Sequence, residues 1–204
     1  METNNSKQEL LENLKANGFS ESIIKAFEKI KREDFILPQY KSLAYEDIAL
    51  PLEGGATISQ PYTIAFMLSL LELKRGQKIL EIGSGSGYVL ALISEIILDG
   101  EIYGLEIIKS LAEKSKNLLK KDKSIKIINQ DGSNGLPEHA PFDRILVSAS
   151  AEELPLNLYA QLKNNGILVA PIKESIFQIK EQNSKIKLKE FPGFVFVPLI
   201  QDKP

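Results

Sequence analysis

The 204-residue chain has no cysteine and one histidine, His139. Without cysteine there are no disulfides, no thiolate metal ligands and no sulfur nucleophile. A lone imidazole rules out a histidine-cluster metal centre, so no metal site is expected. An excess of either charge is also missing: 25 Lys and Arg face 27 Asp and Glu, for a net charge of −2. Nucleic-acid binders ordinarily carry a basic excess, so no nucleic-acid partner is expected. Long apolar runs are missing too. The most apolar stretches, 63–73 and 88–98, are too short to span a bilayer and are interrupted by polar residues. Residues 1–12 are polar and charged, unlike a signal peptide. These absences predict a cytoplasmic protein without a membrane partner. No repeat or low-complexity tract interrupts the chain.

What is present is a core-forming sequence, 43% hydrophobic, of a length that favours one domain over 1–204. Residues 1–75 read as a helical segment. Leu10, Leu11 and Leu14 have helical spacing and are followed by Asn17-Gly18, a C-cap pattern. Ser20 stands as an N-cap ahead of Ile23, Ile24, Ala26, Phe27 and Ile30. Residues 32–45 contain Pro38 and read as loop or short turns. Pro61 suits the first turn of a helix over 62–71. From residue 76 the pattern alternates. Strands are predicted over 78–82, 101–105, 125–129, 142–148 and 166–170, with helices over 88–98, 109–121 and 156–162. Three further strands, 176–180, 185–191 and 194–199, read as antiparallel. The pattern predicts an α/β fold with a mostly parallel, doubly wound sheet, antiparallel C-terminal strands and a helical N-terminal segment.

The sharpest chemical signal is Glu81-Ile82-Gly83-Ser84-Gly85-Ser86-Gly87, directly after a strand and directly before a helix. Glycines there let the backbone turn tightly and approach a ligand, while the next helix aims free N–H groups at the loop. The spacing is not the dinucleotide fingerprint G-x-G-x-x-G, since Tyr88 stands where its third glycine belongs. An acidic residue ahead of G-x-G-x-G is instead the pattern of class I methyltransferases, whose cofactor is S-adenosyl-L-methionine. The alternative is an ordinary glycine-rich turn. Glu106, at the end of the second predicted strand and followed by Ile107, is placed to accept hydrogen bonds from both hydroxyls of a ribose. Alone it could equally be a solvated strand-end carboxylate. Asp131-Gly132, after the third strand, is where such a fold meets adenine, although Asp-Gly is also a common turn pair.

A second group of residues narrows the reading. Tyr45-Glu46-Asp47, Pro51-Leu52 and Gly55-Ala56-Thr57-Ile58-Ser59-Gln60-Pro61-Tyr62 resemble the substrate-side signature of protein-L-isoaspartate O-methyltransferases. The likeness continues through the glycine loop, Asp131-Gly132, Pro141-Phe142-Asp143, Gln161-Leu162-Lys163 and Phe196-Val197-Pro198-Leu199. It implies a Rossmann-like class I methyltransferase whose substrates are proteins and peptides containing isoaspartate. The α-carboxylate of an L-isoaspartyl residue would be methylated, a protein-repair reaction. By this resemblance Ser59 is the active-site serine, and Thr57, Ser59 and Tyr62 border the substrate. Ala56, Thr57, Ile58, Glu81, Gly83, Ser84, Gly85, Gly87, Glu106, Ile107, Asp131 and Gly132 hold the cofactor. The segment 1–75 then forms the substrate side and 76–204 the cofactor-binding core.

Several residues have ordinary readings. Ser59 could serve as the N-cap of the helix at Pro61. His139, among prolines, reads as a surface side chain, and the lysines of 114–126 as a solvated helix face. Lys173 stands where the resemblance leads one to expect glycine, and should avoid the left-handed conformation glycine allows. Ser148-Ala149-Ser150-Ala151 is more polar than expected and is placed beside the peptide cleft. These departures leave open a related methyltransferase with a different carboxylate or small-molecule acceptor; a second alternative is a catalytically silent cofactor-binding protein, against which the intact Ser59 and glycine loop count. No exposed apolar stripe is evident from the sequence, so a monomer is expected.

Overall fold

The computed structural model describes residues 2–182 and 185–199. Helix α1 (Glu2–Ala16) buries Leu10, Leu11 and Leu14. It ends where Gly18 takes φ 81° and Gly18 and Phe19 donate back to the carbonyls of Lys15 and Leu14, the left-handed termination that glycine permits. Helix α2 (Glu21–Lys29) buries Ile23, Ile24, Ala26 and Phe27 on one face. Ser20 occupies its N-cap position, but its hydroxyl meets that of Ser22 at 3.0 Å rather than a helix amide. Two 3₁₀ turns, Arg32–Asp34 and Pro38–Leu43, fill the predicted loop. A small antiparallel ribbon follows, β1 (Leu50–Pro51) with β2 (Thr57–Ile58), and leads into α3 (Pro61–Leu71).

The sheet is built from β3 (Lys78–Ile82), β4 (Glu101–Glu106), β5 (Ile125–Asn129), β6 (Phe142–Val147), β7 (Leu162–Ile172), β8 (Ser175–Gln182) and β9 (Lys185–Pro192). Their order is β5-β4-β3-β6-β7-β8-β9. The first five in that order pair in parallel, and β7-β8-β9 antiparallel. Helices α4 (Tyr88–Ile97), α5 (Lys109–Leu119) and the short α6 (Leu156–Tyr159) complete the fold. Among the described residues no helix is long and apolar enough to cross a membrane.

The alternation of strand side chains divides the core. Ile79, Ile102, Leu146 and Val169 face a cluster shared with α1 to α5, while Leu80, Tyr103, Ile145 and Leu168 face a second one containing Leu136, Phe142 and Leu158. The chain runs outward from β3 to β5 and then returns to place β6 on the other side of β3. Loops therefore diverge at the C-terminal ends of β3 and β6, the switch point where such sheets bind ligands.

Three local expectations are corrected. Residues 194–199 do not form a strand: the segment makes only an isolated bridge, Pro198 with Ser150. The helix expected over 156–162 stops at Tyr159, because β7 already begins at Leu162. Lys173 does not avoid the left-handed region. It takes φ 54° in the two-residue turn between β7 and β8, where its amide donates to Ala151 at 3.1 Å and its carbonyl accepts from the Ser150 hydroxyl at 3.2 Å.

Candidate active site

The glycine loop 83–87 leaves β3 at the switch point, with Gly83, Gly85 and Gly87 at φ 74°, 54° and 84°. The amides of Gly83 and Ser84 both donate to the carbonyl of Leu105, at 2.8 and 3.0 Å, which ties the loop to the end of β4. Glu106 completes the tie: one carboxylate oxygen accepts from the Gly85 amide at 2.7 Å, the other from the Ile108 amide at 2.8 Å. Each carboxylate oxygen keeps lone-pair capacity for a further donor. Gly87 has a different task. It precedes α4 and packs toward α5, where an added Cβ would lie 2.9 Å from Leu119 and 3.1 Å from Ser115.

Two adjoining cavities open at this point. The larger, about 270 Å³, is bounded by Ala56, Gly83, Glu106, Ile107, Gly132 and Ala149. The smaller, about 40 Å³, is bounded by Ile58, Ser59, Glu81, Ser84, Tyr88 and Phe196. Thr57, Gly83, Gly85 and Ser148 line both, so the two meet there. Gly132 lines the larger cavity because a side chain would not fit, its Cβ lying 2.6 Å from Ile82. Asp131 does not line it; its carboxylate accepts from the Ser133 amide at 2.7 Å and so shapes the turn that presents Gly132.

Three buried side-chain polar atoms are left without partners among the described residues: Arg32 Nε, away from both cavities, the second carboxyl oxygen of Glu81 and the hydroxyl of Ser84. Glu81 and Ser84 border the smaller cavity. An unpaired buried polar atom costs about 1–3 kcal/mol, and a ligand supplying the missing contact would recover it. Glu81 is 1% exposed. Burial pushes its carboxyl up from 4.5 to about 8, against the opposing pull of the Ser148 hydroxyl, which donates to it at 2.7 Å.

Ser59 stands between β2 and α3 at the wall of the smaller cavity. It is not the N-cap of α3; Gln60 holds that position. The Ser59 hydroxyl has no protein partner among the described residues, while its carbonyl accepts from Arg32 at 3.1 Å. Tyr62 lies elsewhere. Its ring stacks on Phe66, with centroids 6.4 Å apart, and meets Phe19 edge-on, lining a separate depression of about 510 Å³.

Several wall residues were given no site role from the sequence, although the segment from Ser148 was expected beside the cleft. Ser148 and Ala149 follow β6, Ser148 lining both cavities and Ala149 the larger one. Val197, Pro198 and Leu199 wall the larger cavity and Phe196 the smaller. They are held by backbone bonds of 2.8 Å, from the Ser150 amide to Val197 and from the Leu199 amide to Ser150.

Comparison with known proteins places this geometry in one family. A family model described as protein-L-isoaspartate(D-aspartate) O-methyltransferase matches residues 4–204. A protein-L-isoaspartate O-methyltransferase of Pyrococcus horikoshii is 41% identical over 200 residues, covering 93% of this chain and 90% of its own. One of Ignicoccus hospitalis is 37% identical over 207 residues, covering 97% and 98%. A solved protein-L-isoaspartate O-methyltransferase structure superposes with a TM-score of 0.85 at 29% identity, over 94% of this chain and 65% of that one. A putative one from Plasmodium falciparum, in complex with S-adenosyl-L-homocysteine, gives 0.82 at 29% identity, over 95% and 98%.

Proposed function

The chain belongs to the protein-L-isoaspartate O-methyltransferase family, and from that premise we propose how its two cavities divide the reaction. The enzyme methylates the α-carboxylate of L-isoaspartyl residues in damaged proteins and peptides, using S-adenosyl-L-methionine. The larger cavity takes the adenosine end. Glu106 accepts from the ribose hydroxyls, and Ile107, Ile108 and Gly132 flank the base. Gly83 and Gly85 let the loop approach closely, and Glu81 and Ser84 offer their unpartnered atoms to the polar amino-acid end. The residues fit this group because the unpartnered oxygen of Glu81 and the hydroxyl of Ser84 lie beside a glycine cradle, next to a cavity edged by a carboxylate.

When bound, the cofactor supplies an electrophilic methyl group on a sulfonium. The substrate carboxylate has a pKa near 4 in solution and arrives ionised, so no general base is needed. What the protein must supply is alignment and exclusion of water. Ser59 donates one hydrogen bond to the substrate carboxylate and so orients the attacking oxygen, with Thr57 beside it at the junction. Ile58, Tyr88 and Phe196 keep that junction dry. The observation that carries this assignment is the free hydroxyl of Ser59 on the wall of the cavity that meets the cofactor cavity at Thr57 and Ser148.

The same reading has the chain working as one domain and a monomer, in the cytoplasm and without nucleic acid. The core shared by α1, α2 and the sheet supports the first point, and the net charge of −2 the last. A changed acceptor loses one of its two motivations, because Lys173 lines neither cavity.

The test is methyl transfer from labelled S-adenosyl-L-methionine to paired peptides that differ only in isoaspartate versus aspartate. Methylation of the isoaspartyl peptide alone, with kcat reduced by about 10²-fold in Ser59→Ala, supports both the reaction and the role of Ser59. Undiminished turnover in Ser59→Ala would remove Ser59 from the mechanism. Inactivity on both peptides would move the search to other acceptors.

A further inference from the structure

Arg32 is fully buried, at 0% exposure, and it lies outside both cavities. A guanidinium so placed must have its charge met by the protein. Carbonyl oxygens meet its two terminal nitrogens, while Nε has no partner among the described residues. One terminal nitrogen donates to Ala44 at 2.8 Å and, at the outer edge of hydrogen-bond length, to Glu46 at 3.4 Å. The other donates to Ile48 at 3.0 Å and to Ser59 at 3.1 Å. Three acceptors are alternate residues of one segment, and the fourth belongs to Ser59, on the wall of the smaller cavity.

The segment gripped by Arg32 carries Asp47 between Glu46 and Ile48. The Asp47 carboxylate in turn accepts from the Tyr62 amide at 2.7 Å. Residues 59–62 are thus held at both ends. Arg32 fixes the Ser59 carbonyl directly and fixes the backbone from which Asp47 reaches Tyr62. Pro61, between them, has no amide to contribute. A planar fork with several donors in fixed directions can span acceptors on two separate strands of chain, whereas an ammonium is a point charge.

We propose that Arg32 is a positioning residue for methyl transfer, holding Ser59 in register with the bound carboxylate through its carbonyl grip, with Asp47 as its second anchor. The inference rests on the assignment of Ser59 made above. It reads 32–48 as a clamp on the catalytic turn.

The experiment is a double-mutant cycle on the full-length enzyme, combining Arg32→Lys with Ser59→Ala. kcat and KM are measured on an isoaspartyl peptide, and S-adenosyl-L-homocysteine affinity by calorimetry. Arg32→Lys keeps a buried cation but cannot span both segments. The expected result is a fall in kcat of about tenfold or more with Ser59 present, from misplacement of the hydroxyl. In the Ser59→Ala background Arg32→Lys should change kcat by no more than about twofold, since coupled residues fail to add. Affinity for S-adenosyl-L-homocysteine should stay within about twofold. Asp47→Ala, on the protein surface, should show the same coupling to Ser59→Ala in weaker form. Equal losses from Arg32→Lys in both backgrounds would overturn this inference and leave the role of Ser59 standing. So would wild-type turnover in Arg32→Lys, or a fall in S-adenosyl-L-homocysteine affinity that tracks the fall in kcat. If Ser59→Ala alone leaves kcat intact, both assignments fall together.

Discussion

The amide of Gly85 donates to the carboxylate of Glu106 at 2.7 Å, which joins the glycine loop after β3 to the acidic end of β4. With the Ile108 amide on the other oxygen at 2.8 Å, Glu106 is both a proposed ribose acceptor and a brace. Glu106→Ala leaves two amides without an acceptor, so stability should fall by about 1–3 kcal/mol, together with the loss of cofactor affinity. Glu106→Gln keeps one oxygen as acceptor and offers its NH₂ to a donor. It should bind S-adenosyl-L-homocysteine about 10- to 100-fold more weakly, equivalent to about 1.4–2.8 kcal/mol. Calorimetric titration alongside urea denaturation separates the two effects.

Glu81 should give the ligand-free enzyme an unusual pH profile. Burial raises its carboxyl from 4.5 to about 8 in the folded protein. Between those two values the native state keeps a proton that the unfolded chain has released. Stability therefore declines as pH rises through that window, by about 1.4 kcal/mol per pH unit from this group alone. The contribution is absent below the lower value and its slope vanishes above the upper one. Glu81→Gln, which mimics the neutral carboxyl, should remove this slope and be more stable than the parent at pH 8.5. Urea midpoints at pH 5.5, 7 and 8.5 check it. Parallel profiles for the two proteins would show that Glu81 is ionised when folded.

Gly104, in the middle of β4, supports the loop from below. An added Cβ would lie 2.6 Å from Leu90 and 3.1 Å from both the Cβ and the hydroxyl of Ser84. Gly104→Ala should therefore be destabilising by about 1–3 kcal/mol through overpacking. It should also weaken S-adenosyl-L-homocysteine binding by displacing Ser84, although residue 104 lines neither cavity. A thermal melt with and without the ligand reads both.

What the sequence revealed of this site depended on whether a local pattern carried the constraint. The glycine loop and Glu106 were legible because their spacing relative to a strand and a helix is itself the mechanism. Ser59 was legible only through the likeness of its neighbours to a known family; by local grammar it read equally well as an N-cap, a position that Gln60 holds. Arg32 sits in a stretch without periodicity, and its four acceptors are 12 to 27 residues away, so no short window contains its purpose. Residues 194–199 misled in the opposite direction. Their apolar side chains read as strand residues, but they pack against Phe66 and the walls of both cavities, and the backbone makes an isolated bridge rather than a ladder of hydrogen bonds.

Lys173 offers a stability gain. Its φ of 54° is a conformation that costs a residue with a Cβ about 1 kcal/mol, and the bonds to Ala151 and Ser150 hold it there. Lys173→Gly relieves that strain but gains freedom in the unfolded chain, which offsets part of it. A net increase of about 0.5 kcal/mol is expected, with kcat and KM unchanged because the side chain is exposed and away from both cavities. A destabilised Lys173→Gly would mean that the lysine side chain makes a contribution larger than the strain.

The C-terminal segment makes the strongest separation between fold and site. The sheet ends at β9 with Pro192, and beyond it Phe194 stacks on Phe66, with ring centroids 5.2 Å apart. From there the chain crosses the mouths of both cavities, with Phe196 on one and Val197, Pro198 and Leu199 on the other. Its backbone is held by the Phe194 amide on the Glu174 carbonyl at 3.0 Å and by the pair of 2.8 Å bonds at Ser150, which lies after β6 and the cavity-lining Ser148. Ending the chain after Gly193 should leave the seven-stranded sheet intact, at the loss of about 0.5–1.5 kcal/mol for the aromatic pair. It should nevertheless weaken S-adenosyl-L-homocysteine binding by about tenfold or more, since an apolar wall of the ligand cavity is gone and water enters. Urea denaturation monitored by circular dichroism, with calorimetric titration on the same sample, checks both halves. Retained affinity in the shortened chain would assign binding wholly to the loop after β3 and the end of β4.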